Sequence, residues 1–123
     1  MARKKILLVD DSNTVLLMER MLLDDRGFDL LLAHDGQEAV ERAAAERPDL
    51  IFMDVVMPRM SGFEACKALR AMEETRAIPV IMVTTRGEPH NVQAGYEAGC
   101  NEYITKPFNS VELVAKLKNY LGS

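Results

Sequence analysis

Charged and hydroxyl side chains follow four of the apolar runs in this sequence, at the point where each run ends. Asp10 and Asp11 follow the first run, Asp54 follows the third, Thr84 ends the fourth and Lys106 follows the fifth. Adjacent carboxylates repel one another, and burying either is costly unless a positive charge lies beside them. The acids therefore need a cation, and its identity decides which chemistry the set can carry out.

One divalent cation would balance the charges of this set. The three carboxylates carry three negative charges, Lys106 neutralises one of them, and a divalent cation neutralises the other two. Oxygen ligands favour Mg²⁺ over Zn²⁺, and Mg²⁺ usually keeps several waters and adds phosphate oxygens. A metal ion, a lysine and a hydroxyl stabilise a phosphoryl group in transfer, and an aspartate can accept that group as an acyl phosphate. The residue types therefore predict magnesium-dependent phosphoryl chemistry.

Each of these residues also has a purely structural interpretation. Asp11 alone is a common kind of helix N-cap, and Asp54 suits the turn before Pro58. A single threonine at a strand end, or a single lysine in a loop, is more often structural than functional. The prediction of a joint site therefore depends on all four strand ends lying at one edge of the fold.

Five short apolar runs alternate with longer amphipathic patterns along the chain. The predicted strands cover residues 5–9, 28–33, 50–53, 80–83 and 102–105, and the predicted helices begin near residues 12, 35, 61, 89 and 109. This alternation favours a parallel sheet with helices on both faces, as do the nearly continuous apolar strands. Right-handed crossovers make a doubly wound open sheet the simplest arrangement, in which ligands bind beyond the carboxyl ends of the strands.

Capping residues predict where the helices begin. The predicted caps are Ser12 or Asn13, the capping-box pattern of Asp35 and Glu38, Ser61, and Asn109. The stretch 86–99 is the most polar and glycine-rich of the chain, and within it we predict a loop followed by a helix over 89–98.

Length and charge limit the remaining possibilities. A length of 123 residues favours a single domain spanning 1–123. The net charge of -4 argues against a nucleic-acid-binding face, which needs positive charge. No apolar run approaches the roughly 20 residues of a membrane-spanning helix, and the four apolar residues after MARKK are too few for a secretory signal. A cytoplasmic protein is therefore expected, without membrane or direct nucleic-acid contact.

Four segments together resemble the receiver domain of two-component response regulators. They are ILLVDD at 6–11, PDLIFMDVVMPRMSGFEACKALR at 48–70, IPVIMVTT at 78–85 and YITKPF at 103–108. The resemblance covers essentially the whole chain and is greatest to the single-domain, CheY-like members. It implies a flavodoxin-like, CheY-like α/β fold: a doubly wound, five-stranded parallel sheet in the order 2-1-3-4-5 with five helices on its two faces.

The resemblance also implies a role for each acid. Asp54 corresponds to the aspartate that accepts a phosphoryl group from a histidine kinase. Asp11 and Asp54 correspond to direct Mg²⁺ ligands, and Val56 to a residue whose backbone carbonyl is a further ligand. Asp10 corresponds to the acid that holds the metal, usually through water. Because Val56 is apolar, its side chain offers nothing to the phosphoryl group.

Three further residues correspond to the groups that read the phosphoryl state. Thr84 corresponds to the hydroxyl and Lys106 to the ammonium that bind phosphoryl oxygens, and the Lys106–Pro107 peptide is expected to be cis. Phosphorylation is expected to draw Thr84 inward and let the Tyr103 ring fill the vacated space. The surface that changes is the predicted fourth helix, fifth strand and fifth helix (the α4-β5-α5 face of the family), here called the output face.

The implied partners are a histidine kinase or phosphotransfer protein and a downstream target protein at the output face. The chain is expected to be a monomer or a weak phosphorylation-dependent dimer, with chemotaxis or motility as a candidate process. It is expected to act as a switch that catalyses its own phosphorylation and dephosphorylation, not as a turnover enzyme.

Two other classes of function remain open from the residues. An aspartate-nucleophile phosphatase or phosphotransferase of the haloacid dehalogenase type also uses a carboxylate after a strand with Mg²⁺. It usually needs a second acid two residues later, where this chain has Ser12 after Asp10 and Val56 after Asp54. A pure interaction module that uses the fold without phosphorylation is the third hypothesis, against which the complete acid set argues.

Overall fold

The computed structural model describes residues 4–23, 27–55, 57, 60–85, 96–106 and 110–121, with the backbone alone at 84, 85, 105, 106 and 110. The strands are β1 (Lys5–Val9), β2 (Asp29–Ala33), β3 (Leu50–Asp54), β4 (Val80–Thr85) and β5 (Glu102–Lys106). The helices are α1 (Asn13–Leu23), α2 (Gly36–Glu46), α3 (Gly62–Ala71) and a last helix (Ser110–Leu121). Residues 96–98 are also helical and end the stretch predicted as the fourth helix, whose other residues lie outside this description.

The five strands form one parallel sheet in the order β2-β1-β3-β4-β5, which confirms the predicted fold. The register aligns the strand ends, since Val9 pairs with Met53, Met53 with Met82, and Met82 with Tyr103. The order reverses between β1 and β3, which is where ligands bind in sheets of this kind. The residues that follow these strands therefore reach the same edge.

Alternate residues of each strand belong to two different cores. In β1, Leu7 and Val9 pack with α2 and α3 on one face of the sheet. Ile6 and Leu8 pack with α1 and the last helix on the other face. Both sets are almost fully buried, so polar residues are excluded from the middle of the strand and the sequence there is continuously apolar.

β3 and β5 each end one residue later than predicted. Asp54 is the last residue of β3 and pairs with Val83, and Lys106 is the last residue of β5 and pairs with Thr85. The prediction ended these strands one residue earlier because the side chains become polar there. Backbone pairing continues, since the polar side chains do not interrupt the ladder of N–H and C=O groups.

Caps begin two of the helices as predicted, with one difference. Ser61 and Glu64 form a complete capping box at α3, with distances of 3.2 and 3.0 Å. Asp35 caps α2 by accepting from the Glu38 N–H at 2.8 Å. The Glu38 carboxylate, however, accepts from the His34 N–H at 2.6 Å and lies 3.1 Å from the His34 ring. The backbone N–H and the ring of His34 therefore occupy the Glu38 carboxylate, and only the Asp35 half of the box forms.

Candidate functional site

Asp10, Asp11 and Asp54 meet at the edge where the strand order reverses. One carboxylate oxygen of each lies within 4.8 Å of the other two. Asp10 is only 2% exposed, Asp54 is half-buried and Asp11 is exposed, so the cluster extends from the interior to the surface. Over the part of the chain that the structure describes, this is the one group of three or more acidic, histidine or cysteine side chains close enough to share a cation.

A short turn into α1 fixes the position of Asp10. Its backbone N–H donates to the Ala33 carbonyl at 3.1 Å, which continues the pairing of β1 with β2. Its Oδ1 accepts from the Ser12 N–H at 3.0 Å, and the Ser12 hydroxyl accepts from the Val15 N–H at 3.3 Å. Ser12 therefore caps α1, as predicted, and also orients the buried acid.

The start of α3 lies directly against the backbone of Asp54. The Gly62 N–H donates to the Val55 carbonyl at 2.9 Å. A Cβ added at Gly62 would lie 2.3 Å from the Asp54 carbonyl oxygen and 3.1 Å from the Val55 Cα. Only glycine fits this approach, because both neighbours are backbone atoms that cannot rotate aside.

Thr84 and Lys106 reach the same edge through their strands. Thr84 pairs with Thr105 and Thr85 with Lys106, one residue beyond the pairing of Asp54 with Val83. The side chains of Thr84 and Lys106 lie outside the described part of the chain, as do Val56 and Pro107. Their roles and the cis peptide therefore stay predictions.

The chemistry of the acid cluster fits a hard divalent cation. It offers carboxylate oxygens, which Mg²⁺ prefers in proteins, and contains no sulfur or imidazole ligand. Three negative charges within this distance repel one another, and a cation between them removes the repulsion. Asp10, Asp11 and Asp54 are therefore suited to hold Mg²⁺.

Tyr103 lies on β5, at the border between the surface and one of the two cores. It is half-buried, packs against the core on the α2 and α3 face, and its ring centroid lies 6.0 Å from that of Tyr96, whose ring is tilted by 51°. Tyr96 is 48% exposed. A movement of Tyr103 on activation stays a prediction.

The start of β5 carries a polar cluster that sequence reasoning missed. Lys116 Nζ donates to Glu102 Oε1 at 2.7 Å, and the Tyr120 hydroxyl lies 2.9 Å from Glu102 Oε2. The hydrogen bond from Lys116 holds the pKa of the Glu102 carboxyl below its usual value. Burial, together with Glu102, raises the pKa of Tyr120 to about 12. The only signal in the sequence is the spacing of Lys116 and Tyr120, which puts them on one helix face.

Glu102→Gln should destabilise the chain more at neutral pH than in acid. Because the pKa of Glu102 is lower in the folded chain than in the unfolded chain, its carboxylate stabilises the fold above pH 4.5. That contribution is lost as the pH falls through the folded value. We expect the variant to lose about 0.5–1 kcal/mol in free energy of unfolding at neutral pH, and less near pH 3. Urea denaturation at both pH values measures the difference.

Glu73→Gln is the matched control, because it removes an exposed carboxylate from the loop after α3. It should change the stability by less than about 0.5 kcal/mol at either pH. A deficit in Glu102→Gln that persists unchanged in acid would contradict the assigned ion pair.

Membrane insertion finds no support in the helices that the structure describes. None of them combines the length and the apolar character that crossing a bilayer would require.

Comparison with known proteins places the sequence among signalling regulators. Residues 6–118 match the family model of the response regulator receiver domain. The chain is 39% identical over 118 residues to the alkaline phosphatase synthesis transcriptional regulatory protein PhoP of Bacillus subtilis, covering 96% of this chain and 48% of PhoP. It is 41% identical over 117 residues to the transcriptional regulatory protein CpxR of Escherichia coli, covering 95% of this chain and 49% of CpxR. The chain thus spans about half the length of these curated relatives.

Solved structures of similar proteins share the whole fold. The chemotaxis protein CheY4 of Vibrio cholerae superposes with a TM-score of 0.90 and 38% identity, over 97% of this chain and 99% of CheY4. The receiver domain of the sensor histidine kinase PA1611 from Pseudomonas aeruginosa gives 0.91 and 34%, over 99% of this chain and all of that one. That domain has a magnesium ion coordinated in its active-site cleft. Sequence and fold thus lead to one conclusion: this chain belongs to the response regulator receiver domain family of two-component signalling.

Proposed function

We propose that this chain is a phosphorylation switch in which Asp54 accepts a phosphoryl group from a phosphohistidine of a histidine kinase or phosphotransfer protein. The observation that carries the proposal is the cluster of Asp10, Asp11 and Asp54 at the reversal point of the sheet. A carboxylate oxygen of Asp54 attacks the phosphorus and forms an O–P bond. The P–N bond of the donor breaks, and its electron pair leaves with the imidazole, which then takes up a proton.

Mg²⁺ is the proposed cofactor, held by the three acids and by the backbone carbonyl of Val56. When bound, it neutralises charge on the phosphoryl oxygens and so reduces their repulsion from the Asp54 carboxylate. The magnesium in the cleft of the PA1611 receiver domain supports this assignment. The Ser12 N–H and the pairing with Ala33 hold Asp10 in place beside Asp54.

Thr84 and Lys106 are the proposed ligands of the phosphoryl oxygens. Their support is the register, which brings β4 and β5 to the same edge as Asp54. Phosphorylation replaces one negative charge by about two and adds three acceptor oxygens. Thr84 would move toward these oxygens and Tyr103 into the space it leaves, which changes the output face for a downstream target protein.

We assign residues 1–123 to a single receiver domain that acts in the cytoplasm, as a monomer or a weak phosphorylation-dependent dimer. The relatives PhoP and CpxR are transcriptional regulatory proteins by name. With a net charge of -4, the chain itself is proposed to contact proteins and not DNA.

Incubation with acetyl phosphate and Mg²⁺, followed by intact-mass measurement, tests the proposal. We expect one phosphoryl group per chain without any kinase, lost again on standing as the acyl phosphate hydrolyses. If no donor transferred a phosphoryl group to the chain, the result would favour a pure interaction module that uses the fold without phosphorylation. Steady release of phosphate from small esters would favour a phosphatase of the haloacid dehalogenase type.

A further inference from the structure

Arg70, in the last turn of α3, hydrogen-bonds to the chain segments that enter both β4 and β5. Its guanidinium donates from Nε to the Gly99 carbonyl (2.9 Å), from Nη1 to the carbonyls of Arg76 (3.1 Å) and Ile78 (2.7 Å), and from Nη2 to Asn101 Oδ1 (2.8 Å). A planar guanidinium can satisfy acceptors in several directions at once, whereas a lysine ammonium cannot reproduce this fork. One side chain thus fixes the end of α3 to the starts of two strands.

Other contacts lock the same segment. Gly99 has a φ of +105°, and a Cβ there would lie 2.8 Å from Arg70 Cγ, so this approach requires glycine. Asn101 Oδ1 also accepts from the Val80 N–H at 2.9 Å, and the Asn101 N–H donates to the Val80 carbonyl at 2.8 Å. The entries of β4 and β5 are therefore bound to each other and to α3.

The last helix holds this segment from the opposite face of the sheet. The Tyr120 hydroxyl lies 3.2 Å from the Asn101 carbonyl oxygen and 2.9 Å from Glu102 Oε2, so its single proton is shared between two acceptors. Lys116 adds its bond to Glu102 at 2.7 Å. Asn101 and Glu102 thus connect α3 to the last helix, which belongs to the output face.

The other end of α3 packs against the end of β3, the strand that carries Asp54. Gly62 bonds to Val55 and packs against the Asp54 carbonyl. The nine residues from Gly62 to Arg70 span about 12 Å of helix, and the side chains of Leu69 and Cys66 are completely buried. Helices packed in this way shift as rigid bodies rather than bending.

We propose that α3 and Arg70 form a second link between the phosphorylation site and the output face, separate from Thr84 and Tyr103. A displacement of the backbone at Asp54 moves Gly62 and α3, and Arg70 passes the movement to Asn101, Tyr120 and the last helix. Arg70 is a positioning residue in this link, since it lies at the end of the sheet opposite the acids. The inference rests on the proposed function, because it needs phosphorylation to move Asp54.

Amide chemical shifts in the full chain test this link, with Mg²⁺ and beryllium fluoride replacing the phosphoryl group. The near amides are Val55 and Gly62, and the far amides are Leu117 and Tyr120. In Arg70→Met we expect the near changes to keep their wild-type size and the far changes to fall to about half, because the Thr84 route remains. Arg70→Lys should behave like Arg70→Met, since charge alone does not rebuild the fork.

Two further variants keep the test decisive. Tyr120→Phe removes the hydroxyl that joins Asn101 to the last helix without altering α3, and should reduce the far changes even if Arg70→Met does not fold. Arg76→Met removes an exposed guanidinium from the adjoining loop and should leave near and far changes as in the wild type. Full far changes in folded Tyr120→Phe, or in Arg70→Lys, would overturn the link. An absence of any change in the wild type would instead overturn the proposed function.

Discussion

Asp54→Asn should abolish phosphoryl uptake while leaving the fold intact. The amide has nearly the shape of the carboxylate but cannot form an acyl phosphate, and it removes one of the three negative charges of the cluster. We expect the initial rate of incorporation from acetyl phosphate to fall by more than about 10³-fold. Intact mass gives the rate, and urea denaturation shows whether the variant is folded.

Asp49→Asn is the matched control for this substitution. Asp49 lies just before β3, at the opposite end of the strand from Asp54, and its Oδ2 accepts from the Lys5 N–H at 2.8 Å. Asparagine retains an acceptor oxygen there, so phosphoryl uptake should stay at the wild-type rate. Uptake by Asp54→Asn close to the wild-type rate would assign the acceptor to another residue.

Gly62→Ala should slow phosphorylation and destabilise the chain. The added Cβ would lie 2.3 Å from the Asp54 carbonyl oxygen, so α3 or the end of β3 must shift. Overpacking against backbone costs about 1–3 kcal/mol in free energy of unfolding. A shift of the nucleophile by a fraction of an ångström should slow phosphoryl incorporation by about 10-fold or more. Urea denaturation and the acetyl phosphate assay measure the two effects.

Gly27→Ala separates a general loss of stability from a displaced Asp54. Gly27 has a φ of +83° with nothing within 4 Å of an added Cβ, so alanine is strained there by about 1–2 kcal/mol but touches nothing. This variant should lose stability and phosphorylate at the wild-type rate. Equal rates in Gly62→Ala and Gly27→Ala would show that Gly62 does not position the acceptor.

The sheet and its acids were predictable because both follow from local patterns. Apolar runs such as that of β1 serve two cores at once, and this gives them a continuous signature that alternates with amphipathic helices. Parallel strands then bring their carboxyl ends together whatever the details of packing. The meeting of Asp10, Asp11 and Asp54 therefore needed only the order of the elements.

The Arg70 network was not predictable, because its partners are distant along the chain and have no required spacing. Arg70 bonds to Asn101, 31 residues away, and Tyr120 to Glu102, 18 residues away. The tight approach of Gly62 to Asp54 was missed for a related reason. A glycine at the start of a helix is compatible with many packings, and only the position of β3 shows why no side chain fits.

Competition for the Glu38 carboxylate explains why the capping box predicted at the start of α2 is only half formed. Asp35 and Glu38 have the spacing of a capping box, but the pattern does not record that His34 can also reach the Glu38 carboxylate. Nearby donors on the same turn thus decide which half of a cap forms. The same spacing at Ser61 and Glu64 gave the complete box.

Removal of Mg²⁺ from the acetyl phosphate assay tests most directly whether phosphorylation of Asp54 depends on a cation held by the acid cluster. If Asp10, Asp11 and Asp54 share one cation, incorporation of the phosphoryl group should stop when a chelator is present and recover when Mg²⁺ is returned. Incorporation at Asp54 that continues at an unchanged rate in the chelator would contradict a magnesium-dependent acceptor site.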